Sequence, residues 1–161
     1  MARLLRDVFV WAYAAAIPAD VLKRFLNTAF ALDLLEADLA DPCVWYRGAW
    51  VQGTLAGVVR LVAAPPPNAP AATGWVELSK CYVLPDYHGQ GVAAALLEAA
   101  CDLAGHAGFE RIWLAVWQEN PRAVRFYQRH QFEVVGTTDI MVEDVLFHDL
   151  VMQRALYARA V

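Results

Sequence analysis

Cysteine is scarce in this chain and follows no pattern. Cys43, Cys81 and Cys101 make an odd set of three without a C-x-x-C spacing, so neither a disulfide framework nor a thiolate zinc site is supported. The histidines His88, His106, His130 and His148 are isolated from one another and none belongs to H-E-x-x-H. No metal site is expected. Positive charge is short as well, since the formal net charge is -4, and without a basic excess there is no electrostatic footprint for nucleic acid. That sign mildly favours a cationic substrate. Long apolar runs are missing too: Val8 to Ala16 spans nine residues, against the roughly 20 needed to cross a bilayer. No membrane partner is expected.

What is present suits a single domain over residues 1–161, a length that buries about two thirds of its unfolded surface. Hydrophobic residues reach 59%, many of them alanine, while the 19% charged residues are spread along the chain. Such a surface has room for a homodimer face. The N-terminus imitates a signal peptide, with basic Arg3 and Arg6 ahead of the apolar run and Ala14-Ala15-Ala16 as a cleavage-like site, but Asp7 interrupts the pattern.

Periodicity predicts a strand over Val8 to Tyr13, a helix from about Ala19 to Phe30, and a second helix from Asp33 to Leu39. Strands follow at Val44 to Trp50 and Leu55 to Val62, around a Gln52-Gly53 turn. The proline-rich stretch 63–74 reads as an exposed loop. Trp75 to Val83 is a strand, Val92 to about Gly105 a helix with Leu96, Leu97, Ala100 and Leu103 on one face, and Arg111 to Val116 a strand buried on both faces. A helix opens at Asn120, a short strand covers Phe132 to Val135 with Gly136 as a turn, and a hairpin closes the chain from Met141 to Leu156.

Between the strand ending at Val83 and the helix from Val92 lies a turn with Gly89 and Gly91. Backbone N–H groups at a helix N-terminus lack intrahelical partners and sit at the positive end of the helix dipole, so such a turn can cradle a pyrophosphate. A P-loop is excluded, because Val92 and Ala93 stand where lysine and a hydroxyl would be needed. A dinucleotide fingerprint is excluded by its missing third glycine. Alone, the turn is weak evidence, since most two-glycine turns before helices are structural.

The second signal is Asn120-Pro121-Arg122-Ala123-Val124-Arg125-Phe126-Tyr127, in which Asn120 caps a helix whose first residue is proline. Taken together, the two segments resemble the GNAT superfamily of acetyl-CoA-dependent N-acetyltransferases. His88 to Ala93 follow its [Q/R]-x-x-G-x-[G/A] motif except for histidine at the first position, and Asn120, Ala123, Phe126 and Tyr127 follow its N-x-x-A-x-x-F-Y motif. The resemblance covers about Trp75 to Leu156, and Leu114 to Asn120 with Asp149 to Met152 are most similar to bacterial PaiA-type, polyamine acetyltransferase-like members. One departure is Gln131, where the family usually has glycine.

The resemblance implies a GNAT α/β fold: a central mixed, mostly antiparallel sheet with one splayed strand pair, flanked by about four helices. It implies acetyl-CoA as co-substrate, a small-molecule amine as acceptor, and the cytoplasm as location. Cys81, Tyr82 and Val83 would meet the pantetheine arm, the amides of His88, Gly89, Gln90, Gly91, Val92 and Ala93 the pyrophosphate, and Asn120 the pantetheine again. Tyr127 would protonate the leaving thiolate while also lining the cofactor site, and Glu77, six residues before Val83, would serve as general base. Cys81 as a covalent acetyl carrier runs against the direct transfer usual in this family. Two other classes stay open: a catalytically silent acyl-CoA sensor, and an interaction module whose tryptophans, among them Trp45, Trp50 and Trp75, face a partner.

Overall fold

In the computed structural model, which describes residues 1–67, 69 and 74–156, the strands β1 (Val44–Val51), β2 (Thr54–Val62), β3 (Trp75–Val83), β4 (Arg111–Trp117), β5 (Glu133–Val142) and β6 (Val145–Ala155) form one sheet. Their order is β1-β2-β3-β4-β6-β5, and only the β3–β4 pair is parallel. Among the described residues five helices flank it: α1 (Ala2–Tyr13), α2 (Ala19–Ala29), α3 (Leu32–Ala40), α4 (Val92–His106) and α5 (Pro121–Arg129). The mixed, mostly antiparallel α/β architecture expected from the sequence is present. The count of helices is five where about four were expected.

The extra helix is α1, which replaces the strand expected over Val8 to Tyr13. Valine and aromatic residues imitate a strand there, but the residues buried are Leu4, Leu5, Val8 and Phe9, spaced three and four apart as one helical face requires. They pack with Val21, Phe30 and Leu35 into a cluster that also takes in Val58 and Phe147. Phe9 stacks on Phe25 at 4.7 Å, and Arg6 Nη1 donates to the Leu26 carbonyl at 3.0 Å, so α1 is fixed to α2. As a result Tyr13 reaches Trp117 and Phe147 of the sheet, and Trp11 reaches His88.

A second correction concerns Gly136, which does not turn the chain. It lies inside β5, where the pairing with β6 steps from Val134 to Gly136, so Val135 is the extra residue of a bulge. The hairpin turn comes later, at Glu143 with φ 51. Gln131, by contrast, adopts φ 65 at the reversal from α5 into β5. A left-handed residue other than glycine costs about 1 kcal/mol. Gln131→Gly should therefore raise the denaturant midpoint by up to about 1 kcal/mol of stability, less what glycine loses in chain entropy. A lower midpoint would contradict the strain.

On the other face of the sheet α4 buries Val92, Leu96, Leu97, Ala100, Cys101 and Ala104 against β2, β3 and β4. Its close approach needs Gly57, since a Cβ there would stand 2.8 Å from both Leu96 Cδ1 and the Tyr82 carbonyl oxygen. Two irregularities in β3 then shape the molecule. Its pairing with β4 covers only Trp75 to Glu77, after which the two strands part. Its pairing with β2 skips Ser79, a bulge that sends Cys81 and Val83 toward α4 and α5 and Tyr82 toward α1.

Candidate active site

The chain leaves β3 through a short turn at Pro85–Tyr87 and enters α4 across Gly89 (φ 76) and Gly91 (φ 80). The first helical bond runs from the Ala95 N–H to the Gly91 carbonyl at 3.0 Å, so the amides of Val92, Ala93 and Ala94 have no acceptor within the helix. A Cβ at Gly89 or Gly91 would meet nothing within 4 Å. The glycines are thus set by backbone conformation, and the space above them is open to a ligand. His88 braces the turn: its Nε2–H donates to the Val83 carbonyl at 2.8 Å, and its Nδ1 accepts from Arg122 Nη1 at 2.9 Å. This network assigns a neutral ring. Burial first, then the Arg122 charge, lower its pKa in agreement. Arg122 also lies 5.6 Å over the Trp11 ring, which places one cation beside the cradle.

The cradle opens into a cavity of ≈ 520 Å³ at the splay, lined by β3 from Leu78 to Val83, the glycine turn, Trp11 and Tyr13 of α1, and Asn120, Ala123 and Tyr127 of α5. Asn120 Oδ1 accepts from the Ala123 N–H at 3.1 Å, so its oxygen caps α5 and its amide nitrogen is the end available to a cofactor. The Tyr127 ring is held between Phe126 (5.2 Å) and Phe132 (5.7 Å), and its hydroxyl interacts with the Cys81 thiol. Burial, followed by the neighbouring Cys81, Tyr13 and Tyr82, raises the Tyr127 pKa well above its usual value. It is an acid. Burial likewise pushes the Cys81 thiol up to about 12, which keeps it protonated and a poor nucleophile at neutral pH.

Glu77 lies elsewhere. It stands at the last position where β3 pairs with β4, opposite Trp113, outside the residues that line the cavity. Its neighbours are the polar group on the α3 side of the sheet, where Arg60 Nη2 pairs with Asp38 Oδ1 at 2.7 Å and Tyr46 donates to Asp38 Oδ2 at 2.7 Å. Burial raises the Glu77 pKa against the opposing pull of Arg60 and Lys80, and burial lowers that of Lys80, which does line the cavity. Tyr13 and Arg122 also line the cavity and were not singled out from the sequence. Tyr13 was hidden by the strand assignment of its segment, while Arg122 had a visible signal, a cation in the first turn of the capped helix.

The profile of the acetyltransferase (GNAT) family matches residues 5–132. The chain belongs to this family. An uncharacterised N-acetyltransferase of Mycobacterium tuberculosis is 31% identical over 156 residues, 97% of this chain and 96% of the relative. A spermine/spermidine N(1)-acetyltransferase of Bacillus subtilis is 29% identical over 114 residues, 69% of this chain and 75% of that one. The crystal structure of the PaiA N-acetyltransferase from Thermoplasma acidophilum, in complex with coenzyme A, superposes with a TM-score of 0.78 at 19% identity, covering 96% of this chain and 89% of that one. This GNAT chain is therefore an N-acetyltransferase, and its family uses acetyl-CoA. Its residues fit that co-substrate, because the amides before Ala95 and the open space over Gly89 and Gly91 make an anion cradle. Among the described residues no helix is long and apolar enough to cross a membrane, and no cluster of side chains could hold a metal ion.

Proposed function

We propose that this enzyme transfers the acetyl group of acetyl-CoA to a primary amine of a small molecule by direct attack. The observation that carries this reading is Tyr127, an acid held protonated by burial at the splay beside the anion cradle. The amides from Gly89 to Ala93 receive the pyrophosphate, whereas the His88 amide, expected to join them, is spent on the Pro85 carbonyl at 3.0 Å; the β3 backbone from Cys81 to Val83 runs beside the pantetheine, and the Asn120 amide nitrogen meets it at the start of α5. A bond forms between the amine nitrogen and the acetyl carbon, and the carbon–sulfur bond breaks. Tyr127 gives its proton to the departing sulfur. Glu77 accepts the nitrogen's proton through water, since it stands outside the cavity. The high pKa of Cys81 supports direct transfer over an acetyl-cysteine route.

The cytoplasm is part of this reading, because that is where acetyl-CoA is made. So is a homodimer face, supported by Val134, Val135, Ile140 and Met141, which stand exposed on the edge strand β5.

The base is tested by Glu77→Gln. As a base Glu77 works only when ionised, so turnover should fall as pH drops through its raised pKa, above the usual carboxylate range. The variant should lose about 10² in turnover together with that acid limb, and keep its affinity for CoA. An unchanged pH profile would move the role to another group. His148 is a poor substitute, being exposed and bonded through Nδ1 to Asp139 Oδ1 at 2.7 Å.

A further inference from the structure

The cavity at the splay is lined by charge of one sign. Lys80, Arg122 and Arg129 border it, and no aspartate or glutamate among the described residues does. The chain as a whole has a net charge of -4, so this lining departs from the average of the molecule and suits anionic occupants. Arg122 and Arg129 belong to α5, and Arg122 is tied to His88 of the glycine turn, where the phosphates are received. Lys80 stands apart from them. It precedes Val83 on β3 by three residues, about 10 Å at the usual rise of a strand, so a pyrophosphate on the cradle does not reach it. Its cross-strand partner Arg60 is held by Asp38 of α3, on the face of the sheet away from α4 and α5.

Lys80 is also a cation without an answer. Among the described residues its ammonium has no hydrogen bond and no ion pair: Asp38 and Glu77 act on it only from beyond ion-pair distance, and Asp38 is spent on Arg60 and Tyr46. Arg60, directly opposite on the neighbouring strand, repels it as like charges in register do. Burial first, and that repulsion second, disfavour its charged form, and an anion beside it would offset both. The Nζ atom is unpartnered but not sealed from solvent, unlike the buried Arg154 Nε. The next residue in the chain is Cys81, whose thiol meets the Tyr127 hydroxyl, so an anion at Lys80 sits close to the reacting end of the cavity. A short acceptor can then place its nitrogen at the thioester and its negative charge at Lys80.

We propose that Lys80 binds the carboxylate of an acceptor that carries both an amine and a carboxylate, so that the enzyme acetylates amino acids in preference to amines without an acid group. One lysine balances one negative charge, which fits a carboxylate better than a phosphate. The proposal rests on the reading that this chain acetylates small amines, and it adds which part of the acceptor is recognised and by what.

An amino acid and its amide share a skeleton and differ by the carboxylate charge, so kcat/KM values for a panel of such pairs with acetyl-CoA isolate the contact. The amine of the amide is the less basic and the more often free to attack, so a preference for the acid cannot come from reactivity. Wild type should prefer the acid in at least one pair. Lys80→Met should lower kcat/KM for that amino acid by ~30-fold or more, mostly through KM, as expected for loss of a desolvated charge pair. Its amide should change by less than about threefold, and the Kd for CoA should hold. Lys80→Arg keeps the charge and should keep most of the preference. Methionine retains the apolar stem and removes an unpaired charge opposite Arg60, so the variant should melt no lower than wild type. Equal losses for acid and amide, no loss for the acid, or a weakened Kd for CoA in Lys80→Met would each overturn the proposal. A wild type that acetylates other amines but no amino acid would overturn it too, while leaving the functional reading intact. If wild type acetylates no amine at all, the functional reading fails separately, and calorimetric titration of the same amino acids into the CoA-saturated protein decides the contact. Binding that Lys80→Met abolishes supports it, and absent or unchanged binding overturns it.

Discussion

Tyr127→Phe should lower kcat by ~10² or more while leaving the fold and the affinity for CoA nearly unchanged. Phenylalanine retains the ring packed between Phe126 and Phe132 and removes only the hydroxyl that faces Cys81. Stability should hold. The hydroxyl matters only as the carbon–sulfur bond breaks, so kcat and kcat/KM should fall together, the pattern of an interaction made in the transition state. Because burial holds the Tyr127 pKa well above the ordinary value, the acid stays protonated through the alkaline range, and its titration should not limit the wild-type rate there. A packed tyrosine without a chemical role would give near-native turnover. That result would remove Tyr127 from the mechanism.

Gly91→Asp should abolish CoA binding without unfolding the protein. Aspartate tolerates the left-handed conformation that Gly91 adopts at φ 80, and its Cβ meets no protein atom within 4 Å, so the cost to the apo fold is about 1 kcal/mol. Its carboxylate, however, would face the pyrophosphate at the end of α4. At about 4 Å and an effective dielectric near 20, that repulsion is worth ~4 kcal/mol, or roughly 10³ in affinity. Wild type at 100 times its Kd should gain about 2.7 kcal/mol from the ligand, a melting shift of roughly 5–10 °C. The variant should show almost none of it. Gly91→Asn, equal in size and uncharged, should keep more of the shift, and the same full shift in both variants would place the phosphates elsewhere.

The sequence was most legible where one local rule dominates. Asn120 and Pro121 start α5 as capping chemistry requires, and the two glycines lead into α4 at Val92. The seam around Gln52-Gly53 also lies where the turn residues put it. Segments whose pattern serves two periods were misread. Val8 to Tyr13 is rich in residues that favour strands, and only the burial of Leu4 and Leu5 one turn earlier settles it as a helix. Gly136 has the composition of a turn but marks a bulge, which depends on the β6 partner and not on its sequence neighbours. The site was half legible for the same reason. Among residues in motifs, His88, Gly89, Gly91, Val92 and Ala93 line one cavity with Asn120 and Tyr127, while Gln90 is outside its lining and donates from Nε2 to the Asp86 carbonyl at 2.7 Å. Tyr13, which arrives from α1, joins through tertiary contacts that no local spacing encodes. Glu77 was located by its distance along β3, and the parting of β3 and β4 just beyond it leaves it outside that cavity.

Acetyl transfer itself is tested most directly by incubating the protein with acetyl-CoA and a panel of polyamines, amino acids, aminoglycosides and peptide N-termini, and quantifying free CoA and acetylated amine together. The account predicts that at least one small amine yields both in equal amounts, that the rate follows enzyme concentration, and that no acetyl group remains on Cys81. Acetyl-CoA that binds and stabilises the protein yet is transferred to no amine in the panel would contradict it, and would make the chain a silent acyl-CoA sensor.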